Sequence, residues 1–574
     1  MPNNSSSAYT AADALNDALV NAGVQCVFIN SGTDYPAIIE SWAKCDAEGR
    51  KRPKVIICPH EYAALSAAQG YAQISGRTQA VFVHVDVGTQ NLGGAVHNAM
   101  RCRVPVFILA GLSPYTMDGE FHGGRNHYIQ FIQNASDQHG IVRGYTKLDY
   151  EYRSGKNIQQ MTYRALQLAQ SEPKGPVYMT AGREVLQEEG TDIGADLSLW
   201  KPVAPAALDD ESVSILAQAL GKAKKPVIVT AYSGRNEKCV EELVKLAELL
   251  AIPVLEVNEP ACMNFPGDNP LHAGFDVKGF IEYADVALLI DCDVPWIPVD
   301  AKPGAGCRVF SIDTDPLKEG IPLWYLKAER IMRADSFTAI RQLRMEVERD
   351  PLVTNKKLVE SRRTKIHDIH KAQRQGWKYE KEDGGKITPE FLTNCIREVI
   401  DDDDTVVLNE TISVKHIVDQ LLPRNKPGTL YGNGGSSLGW FGGAAVGMKL
   451  ACPEKDIIAL TGDGTFIFSC PTAVYWMAAK YETPFLTVIY NNQGWNAPKL
   501  VTKRQHPGGF AEEANEFHAS LAPSAQLDMV AKAAGGAFAK TVTDPKELLK
   551  ALKDGREAVK KGKCAVINVM LEPV

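Results

Sequence analysis

The stretch LTGDGTFIF, residues 460–468, ends an apolar run on two glycines that flank a single carboxylate, Asp463. The apolar segment DIIAL before it predicts a buried strand, and a helix is predicted over about residues 470–481. An aspartate at such a strand-to-helix turn has an ordinary role, because its side chain can cap the first turn of the helix. A functional role requires a second feature of the sequence that points to the same place.

A second buried strand, FLTVIY, runs into Asn492. Parallel strands end on the same edge of a sheet, where open α/β sheets bind ligands, so Asp463 and Asn492 are expected to converge. These two side chains suit Mg²⁺, which would take its other ligands from a backbone carbonyl near Gly494, a diphosphate and water. Gly462 and Gly464 let backbone N–H groups approach an anion. The spacing therefore predicts a metal that holds a diphosphate.

Predicted strands and helices alternate along three separate parts of the chain. The strands include KVIICP, QAVFVHV and VPVFILAG, then PVIVTAY and VALLIDC, then TVVLNE and DIIALTGDG. Strands that are apolar on both faces and alternate with helices predict parallel sheets covered by helices. We expect an α/β protein of three consecutive doubly wound parallel-sheet domains, over residues 1–187, 205–345 and 386–574. The Pro/Ala-rich segment 188–212 is predicted to be a linker, and the charged segment 351–386 an exposed helix with a second linker.

The composition excludes several classes of protein. Lysine and arginine total 62 against 69 aspartates and glutamates, and the formal net charge of -7 argues against a nucleic-acid partner. No apolar run approaches the length of a membrane span. The 12 cysteines are scattered without a C-x-x-C or zinc spacing, and the start MPNNSSSAYTAADAL lacks the pattern of a signal peptide. We therefore expect a cytoplasmic protein with reduced thiols and no membrane partner.

The segment CPHEYAALSAAQGYAQISG, residues 58–76, places His60 and Glu61 after a predicted strand and at the start of a helix. The helix dipole alone gives a carboxylate a reason to lie there. The run P-H-E-x-x-A-x-x-A-A-x-G-Y-A, together with G-D-G, 26 residues and N-N further along, resembles the thiamine diphosphate (ThDP)-dependent enzyme superfamily, on its acetolactate synthase and benzoylformate decarboxylase side. The resemblance covers essentially the whole chain.

This resemblance implies a pyrimidine-binding, a central and a diphosphate-binding domain, in that order, with ThDP and Mg²⁺ as cofactors. Glu61 matches the glutamate that hydrogen-bonds N1′ of the aminopyrimidine, which favours the imino tautomer whose N4′ removes the thiazolium C2 proton. The implied function is a lyase or carboligase that acts on a 2-oxo acid or related α-dicarbonyl compound through the C2 ylide and an enamine. An acetolactate synthase-type acyl transferase is the alternative.

Further cofactor contacts follow from the resemblance. GWFGGAAVGMKLA follows GGSSL much as the family's apolar wedge precedes a small-residue helix, so Leu438 matches the wedge that bends ThDP, and the Ser436 carbonyl would receive its amino group. An ordinary core leucine is the other interpretation of Leu438. Ser413, in NETISVKH, falls in the family's second phosphate-contacting turn, although the residues there depart from the usual forms. The remaining predicted cofactor residues are Gly462, Asp463, Gly464, Thr465, Asn492, Gly494, Trp495 and Asn496, and the predicted metal ligands are Asp463, Asn492 and Gly494.

The substrate side of the site is predicted from HVDVGTQN, residues 84–91, which lies where the family has a Gly-rich loop. Counting back from Gly88, His84 matches a histidine that donates a proton in the benzoylformate decarboxylase branch. Thr33, in NSGTDYP, matches that branch's substrate-binding serine. A histidine at a strand end also serves as a structural hydrogen-bonding group, so both interpretations of His84 stay open. The departures at residues 84–91 and 411–414 argue against a biosynthetic acetolactate synthase.

A second group of substrate-side candidates lies further along the first domain. GEFHGGRNHYIQ resembles the family's mobile substrate loop and carries His122 and His127, of which His122 is a candidate catalytic residue. Gln133 and Lys147 match, at looser spacing, a glutamine and a lysine of acetolactate synthases. In the central domain, TAYSGRN has one glycine where a nucleotide loop has several. The sequence therefore favours a degenerate nucleotide fold over one that binds FAD or ADP.

Two interpretations compete with a ThDP enzyme. GSSLG, residues 435–439, matches the G-x-S-x-G nucleophile elbow of α/β-hydrolases, with Ser437 as the nucleophile, but nothing else in the sequence supports a hydrolase. A catalytically silent ThDP-binding partner subunit is the non-enzymatic alternative, and the presence of Glu61 argues against it. Because the family builds each site from two subunits, the resemblance implies at least a homodimer, with a homotetramer favoured.

Overall fold

The computed structural model describes residues 8–257, 261–350, 352–376, 385–400 and 405–573. Within these residues, three β-sheets of six, five and six strands follow one another along the chain. All neighbouring strands within them are parallel. The predicted α/β fold of three consecutive parallel-sheet domains is confirmed. Each sheet lies within one of the three predicted ranges, whose boundaries themselves stay predictions.

The first sheet is built from apolar strands that are buried on both faces, as in β3 and β4. Its order is β2-β1-β3-β4-β6-β5. Its strands are β1 (Cys26–Ile29), β2 (Lys54–Ile57), β3 (Gln79–Val83), β4 (Val106–Leu112), β5 (Asp149–Tyr152) and β6 (Val177–Gly182), and its helices are α1 (Ala11–Asn21), α2 (Pro36–Glu48), α3 (Glu61–Ser75), α4 (Val85–Asn91), α5 (Gly93–Arg101), α6 (Ile129–Ile132), α7 (Ile158–Gln170) and α8 (Arg183–Gln187).

The second sheet has the order β11-β10-β9-β7-β8, and its apolar strands are again buried between helices. Its strands are β7 (Pro226–Thr230), β8 (Val254–Glu256), β9 (Val286–Ile290), β10 (Arg308–Asp313) and β11 (Arg330–Arg333), and its helices are α9 (Asp210–Lys222), α10 (Glu237–Leu250), α11 (Ser336–Arg349) and α12 (Lys356–Gly376). Most of α12 is polar and exposed, as predicted for the charged segment.

The third sheet has the order β13-β12-β14-β15-β17-β16. Its strands are β12 (Thr405–Glu410), β13 (Leu430–Tyr431), β14 (Asp456–Gly462), β15 (Leu486–Asn491), β16 (Phe538–Val542) and β17 (Ala565–Met570), and its helices are α13 (Pro389–Val399), α14 (Lys415–Leu421), α15 (Trp440–Ala451), α16 (Asp463–Phe468), α17 (Pro471–Lys480), α18 (Asn496–Gln505), α19 (Phe510–Glu513), α20 (Leu527–Gly535) and α21 (Pro545–Lys560). Strands β14 and β15 are neighbours, so their carboxyl ends lie side by side.

The first and third domains meet along helices α3 and α15, whose facing residues are small. A Cβ atom on Gly447 would lie 1.8 Å from the carbonyl oxygen of Ala67, and one on Gly443 would lie 2.6 Å from that of Ala63. The glycines therefore let the two helix backbones approach more closely than any other residue would allow. This contact fixes the start of α3 against the loop that precedes α15.

Replacing Gly447 with alanine is expected to lower the free energy of unfolding by about 1–3 kcal/mol, because the added methyl group must push the two helices apart. Gly93→Ala is the matched control, since a Cβ atom at this first residue of α5 meets nothing within 4 Å. Urea unfolding of both variants measures the effect. Equal unfolding midpoints for the two variants would show that the α3–α15 contact tolerates the methyl group.

Two predictions from composition, on membrane spans and on cysteines, can be compared with the structure. No helix among the described residues combines the length and the apolar character that crossing a bilayer requires. None of the 12 cysteines forms a disulfide, and nine of them are buried. These nine are core thiols, as the scattered spacing predicted, whereas Cys307, Cys452 and Cys470 are partly exposed.

Candidate active site

The three predicted metal ligands meet at the carboxyl ends of β14 and β15. Asn492 Oδ1 lies 3.2 Å from Asp463 Oδ1 and 2.8 Å from the carbonyl oxygen of Gly494. Each of the three residues thus brings one oxygen atom to the same point. Among the described residues there is no cluster of three histidine, cysteine, aspartate or glutamate side chains, so this mixed set is the candidate metal centre.

Three oxygen atoms at these distances repel one another, because none of them carries a proton to donate. Oxygen atoms bound 2.0–2.1 Å from an octahedral Mg²⁺ lie about 2.9 Å apart, which falls between the two observed distances. Without the ion, the amide of Asn492 can turn so that its nitrogen donates to both Asp463 and Gly494. The residues therefore fit a small, hard divalent cation.

The Asp463 carboxylate is buried at the start of α16. Burial raises its pKa, while the backbone N–H groups of Gly464, Gln493 and Gly494, which donate to it, act in the opposite direction. A Cβ atom on Gly464 would lie 2.3 Å from Nε1 of Trp495. The glycine after Asp463 is thus required by the indole that packs over the turn, in addition to any ligand.

The other residues predicted to contact the cofactor's diphosphate surround the same turn. Gly462 ends β14, Thr465 is buried in α16, and Asn496 begins α18. Ser413 lies in a 3₁₀ helix, residues Ile412–Val414, directly after β12. All four lie at the carboxyl edge of the third sheet, where open α/β sheets bind ligands.

Glu61 is the first residue of α3 and is buried. Asn91 Nδ2 donates to Glu61 Oε2 at 3.0 Å. A Cβ atom on Gly88 would lie 3.2 Å from Glu61 Oε1, so the glycine lets the carboxylate pass close to α4. The segment predicted as a Gly-rich loop, residues 84–91, is instead helical from Val85 to Asn91, and this helix supplies the neighbours of Glu61.

His84 follows β3 and is held on both ring nitrogens. Its Nδ1 lies 2.7 Å from Asp34 Oδ1 and its Nε2 lies 2.9 Å from Gln133 Oε1. The hydrogen bond to Asp34 raises the pKa of the His84 imidazole. A Cβ atom on Gly111 would lie 1.9 Å from Asp34 Oδ2. The structure therefore makes His84 part of an acid–imidazole pair at the carboxyl edge of the first sheet.

Thr33, Asp34 and His84 line a small depression together with Arg183. The Arg183 guanidinium donates to the carbonyl oxygens of Thr33, Gly123 and Gly124. These bonds tie the segment that resembles a mobile substrate loop to the first residue of α8. The loop is thereby fastened beside Thr33 and His84.

The structure places some of the remaining substrate-side candidates near His84 and one of them far from it. His122 and His127 are exposed on the fastened loop. Gln133 contacts His84 directly. Lys147 lies at the opposite edge of the sheet, ahead of β5, and donates to the carbonyl oxygens of Leu168 and Ser171 at the end of α7. Because those bonds occupy its ammonium group, the prediction of a substrate-side lysine is wrong.

The loop Asn433–Gly439 carries the two residues predicted to contact the aminopyrimidine. Ser436 has φ of 59°, and Leu438 is half-buried rather than enclosed in a core. The Tyr62 hydroxyl, one residue after Glu61, donates to the Leu438 carbonyl at 2.7 Å. The start of α3 and this loop therefore lie in direct contact, as a shared site requires.

Ser437, the nucleophile of the competing hydrolase interpretation, is packed against the first domain. A Cβ atom on Gly94 would lie 2.3 Å from Ser437 Oγ, and Asn98 Nδ2 donates to the Ser437 carbonyl at 2.8 Å. No histidine among the described residues hydrogen-bonds the Ser437 hydroxyl; His97 Nε2 instead contacts the Gly435 carbonyl. Ser437 thus lacks the base that an activated serine requires.

Comparison with protein families supplies an independent line of evidence. The model of the thiamine pyrophosphate enzyme N-terminal TPP binding domain matches residues 9–141, and the model of the C-terminal TPP binding domain of the same enzymes matches residues 413–569. Together the two ranges take in about half of the chain and contain both predicted halves of the site. The chain belongs to the thiamine pyrophosphate enzyme family.

Individual relatives of this thiamine pyrophosphate enzyme are distant but extend over most of its length. Benzoylformate decarboxylase from Pseudomonas aeruginosa is 24% identical over 455 residues, 77% of this chain and 80% of the relative. A probable acetolactate synthase large subunit from Methanocaldococcus jannaschii is 24% identical over 551 residues, 90% of this chain and 85% of the relative. The solved structure of a 4-hydroxybenzoylformate decarboxylase from Rhodococcus jostii RHA1 has the same fold, with a TM-score of 0.79 and 20% identity over 98% of this chain and 99% of that one.

In this thiamine pyrophosphate enzyme the central domain receives a side chain from the first domain. Arg103, two residues after α5, donates to Asp313 Oδ1 at 2.7 Å and to the Tyr232 hydroxyl at 2.6 Å, at the carboxyl ends of β10 and β7. The N–H of Gly234, in the turn where a diphosphate would bind, donates to Asn264 Oδ1 at 2.8 Å. A cavity of about 1020 Å³ nevertheless lies beside this turn. A central domain without FAD or ADP therefore stays a prediction.

Three polar residues of this thiamine pyrophosphate enzyme's candidate site were missed by sequence reasoning: Asp34, Asn91 and Arg183. Each acts through a partner that is distant in sequence or that belongs to a segment predicted as loop. Asp34 is 50 residues from His84, and Asn91 is 30 residues from Glu61. The one sequence signal was the position of each residue directly after, or within the turn following, a predicted strand of the first sheet.

Proposed function

We propose that this protein is a ThDP- and Mg²⁺-dependent enzyme that cleaves or joins a carbon–carbon bond next to the carbonyl group of a 2-oxo acid or related α-dicarbonyl compound. The observation that carries the proposal is the convergence of the Asp463, Asn492 and Gly494 oxygens at the edge of the third sheet. When bound, ThDP supplies the carbon nucleophile and the electron sink for this chemistry. Asp463, Asn492 and Gly494 would hold the ion, and the turn at Gly462 and Gly464 would hold the diphosphate.

Glu61 is proposed to hold a proton at N1′ of the aminopyrimidine. Its burial at the start of α3 keeps water away, and Asn91 fixes the orientation of its carboxyl group. Its neighbour Tyr62 binds the Leu438 carbonyl, which places the acid beside the loop that would carry the pyrimidine. A carboxyl group in this setting can give and take back a proton without leaving its place.

His84 is proposed to be the group that gives a proton to the reacting carbon. The hydrogen bond that His84 Nδ1 donates to Asp34 orients the ring and raises its pKa, so the imidazolium form persists to higher pH than in a free histidine. Gln133 and Thr33 lie around it on the same edge of the sheet. Arg183 fastens the loop that carries His122, which is proposed to contact the substrate.

Replacing Asp34 with asparagine is expected to lower kcat about tenfold to a hundredfold and to move the high-pH limb of its pH profile to lower pH. The protonated, proton-donating form of His84 predominates below its pKa and is lost as the pH rises above it. Without the Asp34 carboxylate this pKa is lower, so activity is lost at a lower pH. Turnover measured across pH 5–9 checks this, with Asp118→Asn on the exposed loop as control. An unchanged limb with unchanged kcat would remove Asp34 and His84 from the proposed roles.

A second copy of the chain is proposed to pack beside the candidate site, giving at least a homodimer, although a single chain already brings the start of α3 against the loop Asn433–Gly439. Apolar side chains beside both halves of the candidate site are about half exposed or more in the single chain, among them Phe131, Ile132, Ile467 and Phe468. Large apolar side chains that are exposed beside a site are typical of a surface that another chain covers. Whether two or four copies assemble is measured by analytical ultracentrifugation with and without ThDP.

Calorimetry on chelator-treated protein tests the core of the proposal. ThDP is expected to bind when Mg²⁺ is restored and to bind at least about a hundredfold more weakly without it. No detectable uptake with the ion present would overturn the proposal. A panel of pyruvate, benzoylformate and a cyclic diketone, each with and without an aldehyde acceptor, then separates decarboxylation from acyl transfer by the CO₂ and ligation products formed.

A further inference from the structure

Glu410, the last residue of β12, is a buried carboxylate to which the proposed mechanism gives no role. Its Oε1 accepts hydrogen bonds from Asn433 Nδ2 at 2.8 Å and from the backbone N–H of Gly439 at 3.1 Å. Its Oε2 accepts from the N–H of Phe441 at 2.9 Å, and the Trp440 N–H lies 3.3 Å from Oε1. A side chain 30 residues away thus caps the first turn of α15.

The same carboxylate controls the loop Asn433–Gly439, which would carry the pyrimidine contacts. Asn433, oriented by Glu410, accepts from the N–H groups of Gly435 and Ser436 through its Oδ1, at 3.1 and 2.8 Å. Gly434, Ser436 and Gly439 all have positive φ. Glycine adopts such angles readily, but the positive φ of Ser436 costs free energy, and outside contacts must hold the loop in this conformation. Glu410 and Asn433 supply them.

We propose that Glu410 is the positioning residue of the loop Asn433–Gly439 and that only its ionised form holds the loop in the shape that takes up the cofactor. The inference rests on the proposed function, because the loop's ligand is the ThDP of that proposal. Its physical basis is the number of hydrogen-bond donors that face the carboxylate. Four N–H donors point at the carboxylate, and protonation would remove the charge that strengthens these bonds and fill one acceptor position with hydrogen.

The surroundings place this change near neutral pH. Burial raises the pKa of Glu410 to about 7 even though the backbone donors act against the rise. Among the described residues no lysine, arginine or histidine forms an ion pair with Glu410. Tyr62, from α3, is a titratable neighbour: burial and the Glu410 charge raise the pKa of its phenol, and its hydroxyl donates to the Ser437 and Leu438 carbonyls. From β14, the residue opposite is the uncharged Thr461.

Calorimetric titration with ThDP and Mg²⁺ at pH 6 and pH 8 tests the proposal on the full chain and on Glu410→Gln. For a group with pKa near 7 the ionised fraction changes about tenfold over this interval. The wild-type Kd is therefore expected to rise about tenfold more between pH 8 and pH 6 than the Kd of the variant. A pH-dependent change in Kd that the wild type and the variant share is caused by titrating groups of the cofactor itself. Glu410→Gln is also expected to bind at least about tenfold more weakly at pH 8, since an amide N–H faces backbone N–H groups.

Glu454→Gln, an exposed acid before β14, is the matched control and should behave as the wild type. Equal pH ratios in wild type and Glu410→Gln would overturn the inference while leaving the proposed function intact, whereas absence of ThDP binding by the wild type at pH 8 would overturn both. If Glu410→Gln does not fold, Glu410→Asp serves in its place. It keeps the charge but shortens the reach, so weaker binding at pH 8 with the wild-type pH ratio supports the inference, and wild-type affinity refutes it.

Discussion

Replacing Glu61 with glutamine is expected to slow hydrogen exchange at C2 of bound ThDP by at least about a hundredfold, because a positioned acid–base group supplies 10² or more. Glutamine keeps the size of the side chain and can still accept from Asn91. It cannot pass a proton to N1′ and take it back. The loss should therefore fall on proton transfer and leave ThDP affinity within about tenfold of the wild type.

The exchange rate is measured by mixing holoprotein with D₂O, quenching in acid and reading the C2 proton by NMR. Glu40→Gln, an exposed acid on α2 of the same domain, is the control and should exchange as the wild type does. Exchange in Glu61→Gln that stays within about threefold of the wild type would remove Glu61 from its proposed role. Loss of binding with unchanged exchange in the bound fraction would make it a structural residue instead.

The second large effect is expected for Asp463→Asn, which should weaken ThDP binding in the presence of Mg²⁺ by at least about a hundredfold. The substitution keeps the shape of the turn but removes the charge that attracts the ion. An asparagine here also brings an N–H₂ group toward the Asn492 oxygen, so the variant can satisfy that acceptor with a hydrogen bond and without a metal. Calorimetry with Mg²⁺ varied at fixed ThDP measures the change.

Asp456→Asn provides the matched control, because Asp456 begins the same strand at its opposite end and pairs there with Arg556 at 2.9 Å. It should leave ThDP affinity unchanged. ThDP affinity of Asp463→Asn within about threefold of the wild type would show that the ion is held elsewhere. In that case the short oxygen–oxygen distances at Asn492 would have to be explained by the turned amide alone.

Most of the strands that sequence reasoning found are buried on both faces, although the partly exposed edge strand β2 was also found, from KVIICP. β4 and β15 read as unbroken apolar runs because every side chain meets a helix. The strands it missed lie at sheet edges: β5, β11 and β16, whose sequences DYEY, RIMR and FAKTV mix polar and apolar residues and are partly exposed. An edge strand has a partner on one side and solvent on the other, so its sequence carries a weaker signal.

Some residues of the candidate site could likewise be predicted from the sequence, and others could not. The convergence of Asp463 and Asn492 was predictable because each directly follows a strand that the sequence marks clearly. Neighbouring parallel strands bring their ends together. Asp34 and Glu410 were not predictable, because what each does depends on a partner 50 or 23 residues away whose position only the folded chain defines. The prediction for Lys147 was wrong because its match to the family relied on spacing across a region of irregular loops.

The glycine-lined contact between α3 and α15 has a consequence for how the chain reaches its native state. A single hydrophobic core runs from Phe28 and Ala67 in the first domain to Ala444 and Val566 in the third. The central domain has a core of its own and stands in the sequence between these two parts. The terminal domains therefore share part of their interior although each also has a core of its own, and a protein truncated before residue 405 would expose the first domain's side of the shared part.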